Sequence, residues 1–310
     1  MIVDIGQVAC VGLGAVGRSW AVAFARAGCT VALYDPDRAT TDSASDTIAR
    51  QLEAEAVSPD RVGTIVPVGS LAAALAGADY VQENSPENLP LKRALFEAMA
   101  QLDPAGGRCL YGSSTSSFVG SSFLEGLPIA ERCLVVHPTN PPHLVPLTEL
   151  CPSPSTSAGT LERVTLFMEA LGQVPILVRK EIPSFILNRL QAAVLSESLA
   201  LVRDGYVSPD DLDRVMKHGL GLRWSFMGPL ETAHLNADGG FADYMAKFAR
   251  FYTEAFTSLA RDVTISPELV AEIDNALRAS GGNDVAERQA WRDANLRRLR
   301  QHRATVESKN

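Results

Sequence analysis

What this 310-residue sequence lacks narrows the field first. Its five cysteines, Cys10, Cys29, Cys109, Cys133 and Cys151, are scattered and include no C-x-x-C pair. That argues against a disulfide framework or a cysteine zinc site, and it points to a reduced, cytoplasmic protein. No uninterrupted apolar run approaches membrane-spanning length, and the N-terminus shows no basic segment with a signal-peptide core. Basic charge is not in excess either. The formal net charge of −8 argues against nucleic acid or an anionic membrane surface as the main partner. There is no H-E-x-x-H pattern, no internal repeat and no low-complexity linker. What is present, 46% hydrophobic and 21% charged residues, is the profile of a soluble globular protein with enough chain for two domains.

A short apolar run, Ile5 to Val11, leads directly into Gly12-Leu13-Gly14-Ala15-Val16-Gly17. A helical stretch follows from Arg18 to Ala27, Gly28 stops it, and Thr30 to Tyr34 reads as a strand ending at Asp35. Strand, glycine turn, helix, strand and acid make up a dinucleotide-binding unit. Gly12 permits the tight turn, Gly14 lets a pyrophosphate approach the backbone, and Gly17 lets helix and strand pack closely. The helix N-terminus then turns free N–H groups toward the phosphates. Asp35 lies eighteen residues beyond Gly17, where it accepts from both ribose hydroxyls and repels a 2′-phosphate. Arg38 is the one basic residue near it, so NAD is expected rather than NADP.

Strands and helices then alternate: Thr64 to Val68, a helix to Ala76, Tyr80 to Glu83, Leu89 to Leu102, Arg108 to Gly112 and Cys133 to His137. The pattern predicts a Rossmann-type, doubly wound parallel sheet with helices on both faces. Its polar strand ends, Glu83–Asn84, Ser113 to Ser117 and His137 to Asn140, converge on one crevice. Pro138, Pro141 and Pro142 forbid a helix after His137, so Val135 to Leu150 reads as a strand end opening into a rigid, extended loop. A histidine held there, with Glu149 to fix its tautomer, suits a general base. His137 and His143 as metal ligands are disfavoured, because the prolines break helical ligand spacing, and no metal is expected.

After Thr160 to Leu171 and a last strand, Val174 to Val178, the strand signals fade. The boundary is expected near Lys180 to Pro183, giving a dinucleotide-binding domain at 1–182 and an all-α domain at 183–310. Helices are predicted over Ser184–Arg203, Pro209–His218, Phe241–Leu259, Pro267–Ala279 and Val285–Arg303, with Ser208 as a helix start. The last carries six arginines interrupted by Glu287 and Asp293, the pattern of a solvated or subunit-facing helix.

The stretches VQENSPENLPLK, GSSTSSF, HPTNPPHLVPLTEL, LNRLQ, SPDDLDRVMKHGLGLRW and GPLETAHLNADG resemble the L-3-hydroxyacyl-CoA dehydrogenase superfamily over nearly the whole chain. The last three resemble its gulonate-type, λ-crystallin branch. The resemblance implies His137 as catalytic base, Glu149 as its carboxylate partner, and Ser116 and Asn188 as substrate contacts. It also implies cofactor contacts at Glu87, Lys92, Ser114 and Asn140, with the turn backbone from Leu13 to Val16, and a homodimer formed through the helical half. Three departures stand out. Ser114-Thr115-Ser116-Ser117 replaces N-T-S-S, and His137-Pro138-Thr139-Asn140-Pro141 replaces H-F-F-N-P, both away from the CoA branch. Ser184 stands where a glycine usually precedes the phenylalanine.

Residues 36 to 60, where the CoA branch docks its cofactor tail, hold Arg38 and Arg50 among Asp37, Asp42, Asp46, Glu53 and Glu55, with no lysine. The expected substrate is therefore a small free 3-hydroxy acid. Arg223, in what reads as a glycine-flanked turn, is positioned to grip its carboxylate bidentately; an ion pair with Glu231 is the competing reading. A 3-hydroxyacyl-CoA dehydrogenase and a non-catalytic, crystallin-like NAD-binding protein are the alternative functions.

Overall fold

The computed structural model describes residues 5–55, 62–103, 107–259, 265–281 and 285–307. The chain divides into two compact units, Met1–Asn188 and Arg189–Asn310.

The first unit is built on eight strands. They are β1 (Gln7–Val11), β2 (Thr30–Tyr34), β3 (Ile65–Pro67), β4 (Tyr80–Glu83), β5 (Leu110–Ser113), β6 (Cys133–Pro138), β7 (Leu147–Cys151) and β8 (Val174–Leu177). Their order across the sheet is β3-β2-β1-β4-β5-β6-β7-β8, so the chain reverses its winding between β1 and β4. In open α/β sheets the ligand crevice lies at that switch point, beyond the carboxyl ends of the strands. Alternate residues of β1 serve opposite faces, as strand geometry demands. Val8 and Cys10 join Trp20, Phe24 and Phe167 on one side, while Ala9 and Val11 join Phe96 and Phe123 on the other. Trp20 stacks on Phe24 at 5.3 Å, and Phe24 on Phe167 at 5.8 Å. All five cysteines are buried free thiols within this unit.

The helices α1 (Ala15–Arg26), α2 (Arg38–Ala54), α3 (Leu71–Leu75), α4 (Leu89–Leu102), α5 (Ser121–Leu124) and α6 (Ala158–Ala170) fill the connections. Their starts carry the expected chemistry. Asp37 accepts from Ala39 N at 3.1 Å, Asn88 from Leu91 N at 3.0 Å and Ser157 from Thr160 N at 3.1 Å. α2, on the polar, Ala-rich stretch after Asp35, ends at Ala54, and residues 56–61 lie outside the described residues.

The sheet departs from the expected all-parallel arrangement at its last two strands, since β8 runs parallel to β7 and both oppose β1 to β6. β7 runs antiparallel to β6, with His137 opposite Glu149 and Val136 opposite Leu150. The segment read as extended loop is instead a turn and a returning strand. The prolines do prevent helix, but Leu144 N and Val145 N both bond to Pro141 O at 2.9 Å and reverse the chain. Leu147 to Cys151 can then pair back, because an antiparallel return needs only a short connection.

The second unit is helical: α7 (Phe185–Arg203, which begins in the first unit), α8 (Pro209–Val215), α9 (Gly221–Trp224), α10 (Pro229–Leu235), α11 (Gly240–Ser258), α12 (Pro267–Gly281) and α13 (Val285–Glu307). Ser208 caps α8 by accepting from Asp211 N at 3.2 Å. α7 has the length and apolar composition to cross a membrane, although Asn188, Arg189, Glu197 and Arg203 interrupt it. Arg223 is not in a turn, contrary to expectation. A π-helical stretch, Met216–Leu220, joins α8 to α9 without a break, and Arg223 lies on α9. Gly221 makes this possible by close approach: its N–H reaches back to Met216 O, and a Cβ there would lie 2.8 Å from that oxygen. The glycines widen the helix here; they do not end it.

Candidate active site

The glycine turn has the geometry its sequence implies. Gly12 has φ +88°, and a Cβ on it would press within 2.7 Å of the Asn84 backbone. A Cβ on Gly17 would lie 2.0 Å from Gly12 O. At Gly14 the position a Cβ would take is open, and no side chain caps α1, so the N–H groups of Ala15, Val16 and Gly17 start the helix without one. Asp35 ends β2 with one oxygen accepting from Leu13 N at 2.9 Å and the other from Asp37 N at 3.0 Å. An uncapped, positively polarised helix end with open backbone at Gly14 fits a pyrophosphate. The Asp35 carboxylate, tied to the turn and still partly exposed, fits ribose hydroxyls. Arg38, the nearest candidate for a 2′-phosphate, pairs with Asp42 at 3.1 Å.

At the ends of β4 and β5 several expected cofactor contacts are joined to one another. Lys92 is buried, with its ammonium donating to both oxygens of the equally buried Glu83 at 3.1 and 3.3 Å and to Ser85 O at 3.1 Å. Ser113 Oγ donates to Glu83 at 2.5 Å. Glu87 Oε2 lies 3.7 Å from Lys92. Its other oxygen accepts from Thr115 Oγ1 (2.6 Å), Ser116 N (3.1 Å), Ser117 N (2.9 Å) and Ser117 Oγ (2.7 Å). Burial works against ionisation of Glu87, but the Thr115 and Ser117 hydroxyls, the Lys92 charge and the Ser117 amide outweigh it and hold the carboxyl low. Ser114 Oγ is spent internally: it accepts from Trp20 Nε1 and Gln82 Nε2 and donates to Asn84 Oδ1. Lys92 and the Ser114 hydroxyl thus brace the end of β4, while Asn140 is exposed beyond the end of β6.

His137 and Glu149 meet across the β6–β7 pair, Nδ1 to Oε2 at 2.8 Å, both nearly inaccessible to solvent. Glu149 Oε1 accepts from Ile186 N at 2.8 Å and Leu187 N at 3.0 Å, the first turn of α7. Burial is the largest single influence on Glu149 and opposes its ionisation. The hydrogen bond from His137, the Leu187 and Ile186 amides and the charge of His137 together outweigh it, so the carboxyl sits below the ordinary range. A carboxylate at Nδ1 places the imidazole proton there and leaves Nε2 as the acceptor.

The same turn of α7 brings the last two expected residues together. Asn188 Nδ2 donates to Ser116 O at 3.1 Å. Ser116 is thereby held through its own amide by Glu87 and through its carbonyl by Asn188, and its hydroxyl makes no hydrogen bond among the described residues. Ser184 and Phe185, just ahead of these groups, have φ of +64° and +51°. The position where the resemblance implied glycine does adopt the glycine conformation, at a steric cost of about 1–2 kcal/mol per L-residue.

Arg223 is half-buried in the helical unit, with its charge beside Tyr252, whose hydroxyl shares a 2.6 Å hydrogen bond with Tyr244. It forms no ion pair with Glu231 or any other carboxylate among the described residues. No cluster able to hold a metal ion occurs among the described residues, and His143 Nδ1 is turned to Ser19 Oγ at 2.5 Å. Sequence reasoning missed the role of Glu83 as the buried partner of Lys92, and it missed the α7 amides. The first left a trace, an acid at a strand end nine residues before a lysine, while backbone amides leave none.

Residues 7–182 match the family model described as 3-hydroxyacyl-CoA dehydrogenase, NAD binding domain, and residues 185–270 match its C-terminal domain. Lambda-crystallin of Oryctolagus cuniculus is 40% identical over 311 residues, covering 95% of each chain. The L-carnitine dehydrogenase of Streptomyces coelicolor is 34% identical over 303 residues, 94% of this chain and 92% of its own. Among solved structures, an NAD+-dependent dismutase, 5-formyl-3-hydroxy-2-methylpyridine 4-carboxylic acid 5-dehydrogenase, matches with a TM-score of 0.82 over 98% of this chain and 99% of that one. At 24% identity that likeness is one of fold.

Proposed function

This chain belongs to the 3-hydroxyacyl-CoA dehydrogenase family and is an NAD-dependent dehydrogenase acting on a CH–OH group; from that premise we propose that it oxidises the 3-hydroxyl carbon of a small free 3-hydroxy acid. His137 acts as general base and Glu149 orients it. The observation that carries this reading is the buried His137–Glu149 contact with the carboxylate anchored on the α7 amides.

NAD, when bound, supplies the hydride acceptor, held by the Gly12–Gly17 turn and Asp35. His137 Nε2 takes the hydroxyl proton, because loss of hydride from a secondary alcohol demands its removal. Glu149 stays ionised through this step and stabilises the imidazolium that forms. The free Ser116 hydroxyl and the remaining Asn188 amide hydrogen steady the substrate oxygen as its charge changes. The preference for a free acid is supported by α2. Of its two arginines, Arg38 is paired with Asp42, and Asp42, Asp46 and Glu53 outnumber the two, so the helix carries no net positive charge to offer a CoA phosphate. Arg223, with no carboxylate partner among the described residues, is the proposed grip for the substrate carboxylate. We also propose a homodimer formed through the helical unit.

The test is an NAD-linked screen of free 3-hydroxy acids against their CoA thioesters. Turnover of the free acids with the higher kcat/KM is expected. A thioester turned over better overturns the free-acid assignment.

A further inference from the structure

We propose that Ser184 and Phe185 form a positioning joint for the reacting groups, their paired left-handed backbone aiming the start of α7 at the dyad and at Ser116 together. The inference rests on the dyad reading above. Five consecutive residues make five attachments. Ser184 N donates to Ser117 O at 3.3 Å. The buried Phe185 ring lies 5.2 Å from the His137 ring, tilted by 37°. Ile186 N and Leu187 N hold Glu149 Oε1, and Asn188 Nδ2 holds Ser116 O. All five lie within the first unit.

A chain reversal at this point could be made with glycine at no steric cost. This chain makes it with serine and phenylalanine, and two adjacent L-residues at positive φ persist only where the surroundings over-determine them, as they do at active sites. The geometry supplies the reason. With φ positive at both residues, two successive amides point at one carboxylate oxygen while the Phe185 side chain turns back onto His137. If either residue relaxed to an ordinary conformation, Glu149 would lose two of its three donors. Asn188, one turn further on, would leave the Ser116 carbonyl. Nothing in the joint touches the glycine turn or Asp35.

The consequence is a split between chemistry and cofactor binding. Disturbing the joint misplaces the base and the oxygen contacts, and displacements of about 1 Å cost up to about a hundredfold in rate. It also removes hydrogen bonds from ionised Glu149 and disturbs its contact with His137, so the acid limb of the rate profile moves. The groups facing Glu149 are His137 on β6, the amides on α7, and Cys151 on its own strand with Glu181 beyond it.

The experiment uses full-length Ser184→Val, whose β-branched side chain resists positive φ, beside Ser184→Gly, which accepts it. Steady-state kinetics across pH are measured with NAD affinity by fluorescence. For Ser184→Val, kcat should fall about tenfold or more with the acid limb displaced and NAD affinity retained, whereas Ser184→Gly should keep the wild-type limb. Wild-type kcat and an unmoved limb in Ser184→Val overturn the joint. Should that variant fail to fold, Phe185→Leu reads the ring contact: a lower kcat is expected, and a wild-type kcat with an unmoved limb overturns the proposal. His137→Asn is the control that separates the two ideas. Turnover surviving there overturns the dyad itself, whereas an inactive His137→Asn beside a wild-type-like Ser184→Val overturns the joint alone.

Discussion

In the sheet unit Trp20, Phe24, Phe96, Phe123 and Phe167 are all buried, while in the helical unit Phe248, Phe251 and Phe256 stand 41%, 64% and 57% exposed. Among the described residues of the helical unit, the buried hydrophobics are Ala200, Val202 and Leu269. The sheet closes a core on both faces from its own helices and gathers bonded polar groups at its strand ends. The helices carry comparable apolar side chains and present them outward, along α11 as a ladder of Tyr244, Phe248, Tyr252 and Phe256 with ring spacings of 4.9 to 6.0 Å. One unit is finished by its own chain. The other has apolar faces of the kind that a second copy covers in obligate dimers.

The largest effect that sharpens this contrast is in the cores. Phe24→Ala should cost about 3–5 kcal/mol of stability through transfer and cavity terms, read as a fall in Tm. Phe256→Glu should leave the sheet unit's melting in place and instead move the mass by light scattering from dimer to monomer. Wild type already monomeric at micromolar concentration breaks the contrast.

Chemistry comes next and should map to the sheet unit. His137→Asn is expected to lose about a hundredfold or more in kcat with NAD affinity nearly unchanged, the loss of a general base. Recognition should map to the helical unit by a smaller effect. Arg223→Met should raise KM for a free hydroxy acid about tenfold with kcat largely spared, the scale of one charge-assisted pair. An unchanged KM would return Arg223 to a structural role beside Tyr252.

The smallest effect is in the pH dependence of stability. Glu149 and Glu87 both have folded carboxyls below their ordinary value of 4.5. Their stabilisation is therefore fully present above the unfolded value and drains away as pH falls through the lowered folded values. Acid unfolding below about pH 4.5 should be steeper in wild type than in Glu149→Gln. Equal slopes would remove Glu149 from the account.

The glycine turn and Asp35 were legible because their constraints are local. Gly12 and Gly17 are demanded by backbone atoms a Cβ would strike, and such steric demands are visible in residue identity alone. The parallel strands were legible from apolar runs separated by helical stretches. β7 was not, because Leu147 to Cys151 follows four prolines and looks like the end of a loop; its strand character depends on β6 being there to pair with. The turn expected around Arg223 was misread for a related reason. Glycines at 219 and 221 mark a break by propensity, yet the helix carries through them with a wider turn.

Residue types at fixed short spacings therefore determined the dinucleotide unit, the alternation of layers and the candidate base, since turn sterics and side-chain periodicity act over a few residues. Tertiary structure alone decided which groups meet. Glu149 finds its amides 37 residues away at Ile186, and Asn188 reaches Ser116 across 72 residues. Those distances in sequence are closed only when β7 pairs in one register and the chain turns left-handed at Ser184 and Phe185. A slip of one residue in the strand would send Glu149 to the other face.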